Sequence, residues 1–200
     1  MDVRYPAGCE INRAGPVFPN PRAAGPRAAM HRRRSRSPIA AVGQGLLAGL
    51  IGNAVFTGYQ ALQSRRSDGP QGESEPPEDW SETPAPAQVG QRFAAGVFRR
   101  PVDLDQAGLV KTVVHWAYGS SWGAVYALIE ESVGRPLVSG VALTSAVMAA
   151  DYTMLPAMKI YKPPWEYEAG TLTKDFANHL VHGLAIAAAY RGLDAAFARR

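Results

Sequence analysis

Four stretches of the chain are almost wholly apolar: residues 39–62, 112–129, 137–158 and 176–190. They hold 79 of the 200 residues but one formal charge, Asp151, while the other 37 Asp, Glu, Lys and Arg residues fall in the remaining 121 positions. A helix of a soluble bundle needs a charged face for water. None of the four stretches supplies one, which weighs against that alternative. The first, IAAVGQGLLAGLIGNAVFTGYQAL, has 24 uncharged residues, and about 20 suffice to cross roughly 30 Å of hydrocarbon at about 1.5 Å per residue. The pattern predicts transmembrane helices over 39–62, 109–129, 137–158 and 175–197. The expected fold class is all-α, an integral membrane bundle of four transmembrane helices arranged as two tandem helical hairpins.

The segments between them read differently. Residues 1–38 are rich in Pro, Gly, Ala and Arg without periodicity, the composition of a disordered tail. Met30, directly before an arginine-rich run, is an alternative start site. Arginines followed by an apolar run also imitate a signal peptide, but this run exceeds a signal h-region and no A-x-A site closes it. Residues 63–108 form a polar linker whose acidic, proline-rich part (EPPED, SETPAPA) cannot build a core. Within it Val89, Phe93 and Val97 recur every four residues beside arginines, predicting an interfacial helix over 88–100. Asp103 or Asp105 is placed to cap the next helix. Trp165 and Tyr167, in the loop before the last span, suit the headgroup level.

Mean hydropathy is −0.14, an average of two unlike populations. The net charge of +4 comes mostly from arginines flanking apolar runs, which suits a lipid bilayer. No basic surface interleaved with aromatics argues for nucleic acid. Cys9 is the one cysteine, so no intramolecular disulfide forms. Lys and Arg near the span ends divide almost evenly between the two sides. The cluster at 32–36 then favours cytoplasmic termini, because the first helix usually dominates.

Spans two and four repeat a motif. His115, Tyr118, Gly119 and Tyr126 match His179, His182, Gly183 and Tyr190 as H-x2-(Y/H)-G-x6-Y. Gly119 and Gly123 align with Gly183 and Ala187, while Gly45 and Gly49 of span one align with Gly140 and Thr144 of span three. Such a pattern implies a parallel repeat of two hairpins, with Gly45, Gly49, Gly119, Gly123 and Gly183 letting helices approach closely. The glycine-rich first span, the HWAYG and HLVHG motifs and PPWEYEAGTLTKD together resemble small four-helix bacterial inner-membrane proteins of the YagU type, over roughly 39–196. The resemblance implies a bacterial inner-membrane protein of uncharacterised biochemistry and transfers no catalytic residue. The tail and the long 63–108 linker depart from its pattern.

The candidate chemistry lies inside the spans. Counting depth from the span ends puts Asn53, His115, Asp151 and His179 in one layer. Asp175, His179 and His182, at i, i+4 and i+7, share one helix face. Ionisable groups at such depth face the bundle and pair with one another. The first reading is a structural polar cluster in a structural or stress-related protein without enzymatic activity. The alternative is a pH-responsive proton or small-solute conducting element using His115, Asp151 and His179. A third reading is a haem or zinc site, with imidazoles on facing helices or Asp175, His179 and His182 as ligands. No cofactor is required by the first two. Ser120 and Ser121 lack the strand–turn–helix setting of a nucleophile, and Trp116, Tyr118, Trp122 and Tyr126 read as packing or interface anchors. Oligomeric state is left open by the sequence: four short helices enclose little space, so a pore would need a homo-oligomer such as a dimer.

Overall fold

A computed structural model describes residues 37–67 and 77–199. Cys9, Met30, the tail and the middle of the acidic linker lie outside the described residues. Among the described residues there are five α-helices and no strand: α1 (Pro38–Ser67), α2 (Ala85–Gly96), α3 (Ala107–Val133), α4 (Pro136–Ala157) and α5 (Ala169–Phe197). Short 3-10 turns at Trp80–Glu82, Leu104–Gln106 and Pro164–Glu166 lie between them.

The four long helices form an antiparallel ring in which α1 packs on α3 and α5, and α4 packs on α5 and α3. Two of them, α1 and α4, are long and apolar enough to cross a membrane. α3 carries Lys111, Glu130 and Glu131 within its length, and α5 carries Lys174, Asp175, Arg191 and Asp194. Between those charges their apolar stretches are diluted by Ser, Gly, His, Asn and Tyr.

Several boundaries differ from expectation. α5 begins at Ala169, well before residue 175, and runs through Gly170. α2 covers Ala85–Gly96 rather than 88–100: Pro86 suits the first turn, and Arg99 adopts a left-handed φ of 53°. Neither Asp103 nor Asp105 caps α3. Gln106 holds that position, because Leu104–Gln106 wind into a 3-10 turn first, and no side chain caps it. The α3–α4 connection is tight because Gly134 takes a left-handed φ of 65° and Pro136 opens the next helix, a stop and a start that each residue favours.

The polarity of α1 is inverted relative to a water-soluble helix. Its buried face is Ala41, Gln44, Gly45, Ala48, Gly49, Gly52, Asn53 and Phe56, while Leu46, Leu47, Leu50, Ile51 and Val55 point outward. α4 buries Ser139, Gly140 and Thr144 and exposes Leu137, Val138 and Val141, but it also buries Leu143, Val147 and Leu155. Small residues inside permit backbone contact. A Cβ on Gly49 would come within 2.9 Å of Ser120 Cα, and one on Gly123 within 2.6 Å of the Gly49 backbone.

The two halves correspond through their contacts. Asn53 Nδ2 donates to the His115 carbonyl at 3.3 Å, and the Thr144 hydroxyl lies 3.3 Å from the His179 carbonyl. Gly119 makes room for the Asn53 amide, and Gly183 for Thr144 Oγ1. These contacts pair Asn53 with Thr144 and Gly49 with Gly140. The alignment drawn from the glycines alone, Gly45 with Gly140 and Gly49 with Thr144, is therefore corrected by one helical turn. One-turn slips are invisible in a pattern of small residues repeating every four positions.

At the interior of the ring Tyr126 and Tyr190, both fully buried, meet edge-to-face at 5.4 Å beside Leu143 and Ile186. Truncating Tyr126 to Ala removes a ring from a closed layer, where large-to-small changes of aromatics cost about 3–5 kcal/mol. Loss of most of that stability in a thermal melt in mild detergent is the expected result.

Candidate functional site

Below the tyrosine layer, toward the C-terminal ends of α1 and α4, the helices enclose a cavity of about 300 Å³. Asn53, His115, Asp151, Asp175, His179 and His182 all line it. Residues of α2 (Ala85, Pro86, Val89) form part of its rim. There α2 is held against α3 by its small face: Ala87 is fully buried, and Gly90 leaves room only for the Val110 and Val114 side chains. Its Phe93 stays exposed, as do Val97 and Phe98 just beyond its end. Of the stripe Val89, Phe93 and Val97, only Val89 is half-buried, at the cavity rim.

The centre of the site is Asp151. Its Oδ1 accepts the Tyr118 hydroxyl at 2.6 Å, and its Oδ2 lies 3.3 Å from His179 Nε2. The other ring nitrogen of His179 lies 2.8 Å from the Asp175 backbone carbonyl. A carbonyl only accepts, so Nδ1 carries a hydrogen. A carboxylate also only accepts, so a hydrogen bond between Nε2 and Oδ2 requires one further proton. It makes either an imidazolium–carboxylate pair or an imidazole–carboxylic acid pair. Both have zero net charge, and they differ by moving one proton a short distance.

The remaining residues are placed as follows. Asn53 is fully buried and bonds the His115 backbone rather than a side chain. Asp175 Oδ2 accepts the Tyr152 hydroxyl at 2.5 Å. His182 is buried with its ring 5.3 Å from that of Phe56, and its Nε2 has no hydrogen-bond partner. Although Asp175, His179 and His182 share a helix face, their side chains turn to Tyr152, Asp151 and Phe56 respectively. Among the described residues no three of His, Cys, Asp and Glu converge as a metal would need.

Tyr118, Tyr152, Gln60 and Tyr161 belong to the site without having been singled out for it. Tyr118 had the role of a packing anchor, yet it is a direct partner of Asp151. Its position three residues after His115 in the repeated motif was the available signal. The repeat also exposes an asymmetry. By the correspondence of the halves Gln60 stands where Asp151 stands, and His182 stands where Tyr118 stands. Only one half therefore has an acid to receive its partners, and His182 is left without one.

The opposite end of the bundle is polar again. The Ser139 hydroxyl donates to buried Glu130 at 2.7 Å, and Gln44 Nε2 donates to the Tyr190 carbonyl at 3.0 Å. Between the two polar ends stands the tyrosine layer, so the cavity is blind. No protein-family model, curated protein or solved structure matches the chain.

Proposed function

We propose that the chain is an integral membrane protein whose four long helices cross the bilayer as two equivalent hairpins, and that its blind polar vestibule responds to protons. The location in a membrane is supported by the inverted polarity of α1. Lipid supplies no drive for burying Leu, so packed faces take small and polar residues and large aliphatic ones face outward. The resemblance to YagU-type proteins agrees with a bacterial inner membrane, and the arginines before α1 favour cytoplasmic termini. Under that orientation the vestibule opens on the far side, with α2 and Trp165 at the headgroups. Trp165 is 80% exposed, as an interfacial anchor would be.

The response is carried by one observation: both ring nitrogens of His179 face oxygens that accept. A proton shared in this way links protonation to the packing of α4 on α5. The other titratable groups lining the cavity are His115 and Tyr118 from α3, Tyr152 from α4, Asp175 and His182 from α5, and Tyr161 from the loop. α1 contributes no titratable group, only Asn53, Phe56 and Gln60. The blind tyrosine layer favours sensing or binding over conduction. No step of this reading needs an enzyme activity or a cofactor.

Two measurements test the location. Alkaline carbonate washing should leave the protein in the membrane pellet. In a Cys9→Ser background, Leu50→Cys should resist a membrane-impermeant maleimide, while Ser132→Cys, at the tight α3–α4 connection, reacts from one side. Release by carbonate, or rapid labelling at Leu50, would remove the membrane reading.

A further inference from the structure

The vestibule holds a second acid that the Tyr118–Asp151–His179 chain does not use. Asp175 stands near the start of α5 and lines the cavity. Three tyrosines gather on its side of the site. Tyr152, whose hydroxyl it accepts, meets Tyr167 edge-on at 5.7 Å and lies 6.5 Å from Tyr161. The Tyr161 hydroxyl is pushed above its ordinary pKa, first by burial and then by the negative charge of Asp175. That loop ring lines the same cavity as Asp175.

Charge accounting gives the cavity its sign. Asp151 and His179 share one proton and sum to zero in either arrangement. With His115 and His182 neutral, the one uncompensated charge on the wall is that of Asp175. The rest of the lining is largely aromatic and apolar, including Phe56, Trp122 and Tyr161. A single negative charge among aromatic faces is the chemistry that recognises ammonium ions, which are drawn to rings within about 6 Å of the centroid. Among the described residues no three of His, Cys, Asp and Glu converge. An anion would meet the carboxylate.

We propose that the vestibule binds a small organic ammonium ion, with Asp175 as its counter-ion and the rings of Tyr152 and Tyr161 as its cage. This rests on reading the cavity as a proton-responsive membrane pocket. A cavity of about 300 Å³ has room for an ion of this size.

The test uses the full chain in mild detergent, with choline as the probe and 3,3-dimethylbutan-1-ol as its uncharged isostere. Titration calorimetry should give saturable choline binding and at least tenfold weaker binding of the alcohol. Asp175→Asn should weaken choline at least tenfold. Tyr161→Leu, a change in a loop outside the long helices, should weaken it several-fold. Equal binding of the two probes, or choline affinity unchanged in both variants, overturns the ammonium site. The ligand-free acid response of Trp122 fluorescence separates this inference from the reading beneath it. An intact acid response without choline binding overturns the site alone. Choline binding without an acid response supports the site and removes the proton-sharing reading.

Discussion

Gly123→Leu is expected to take the bundle apart. A Cβ at this position would press on the Gly45 carbonyl and lie 2.6 Å from the backbone of Gly49. The obstacles are main-chain atoms of α1, which cannot rotate aside as a side chain would. Overpacking a core whose side chains can adjust already costs about 1–3 kcal/mol. Here the whole of α1 must move away from α3, and the Asn53 link to the His115 carbonyl is lost with it. Against a total stability of about 5–15 kcal/mol, that removes a large share. The readout is a thermal melt with limited proteolysis in mild detergent. Gly123→Leu should melt early and without cooperativity, with Gly123→Ala intermediate. Gly58→Ala should behave as the unaltered protein, since nothing lies within 4 Å of the added methyl. An unaltered melt for Gly123→Leu would mean that α1 and α3 do not pack as described.

The second large effect is on the acid response. Asp151→Asn should fold yet lose its response to mild acid. The asparagine amide can donate to His179 Nε2, while its carbonyl accepts the Tyr118 hydroxyl. Both hydrogen bonds survive and only the mobile proton is gone. A net cost of about 1 kcal/mol is expected for exchanging such bonds. Asp151→Leu is the contrast: it leaves the Tyr118 hydroxyl and the His179 ring without their partner, at about 1–3 kcal/mol for each unsatisfied group. The reporter is Trp122, whose ring meets Tyr118 at 5.8 Å and 90°. With Trp80, Trp116 and Trp165 changed to Phe, its fluorescence should step with pH through the range where imidazoles titrate, and the step should vanish in Asp151→Asn. A step that persists there would assign it to His115 or His182 and return Asp151 to a structural role.

The uneven distribution of charge was enough to read an all-helical chain and to locate its four long helices. It also drew attention to Asn53, His115, Asp151, Asp175, His179 and His182, because ionisable or amide groups inside uncharged stretches stand out against their surroundings. Counting residues from the span ends brought several of them to one level, since helix rise is nearly constant along the axis. The close-approach role of Gly45, Gly49 and Gly123 was legible for a similar reason: small residues every four positions fall on one helical stripe.

Rotation and partner choice were decided only by the tertiary structure. A sequence gives depth along a helix, but which way a side chain turns depends on the neighbour across the interface. Asp175, His179 and His182 share a face, yet each turns to a different partner. Tyr118 is hydrophobic enough to look like packing until Asp151 arrives from α4, a helix whose register against α3 the sequence does not encode locally. The one-turn shift between the two halves has the same origin. Glycine spacing fixes a stripe but leaves translation along it free, and the Asn53 and Thr144 side chains, each reaching a histidine carbonyl, set that translation.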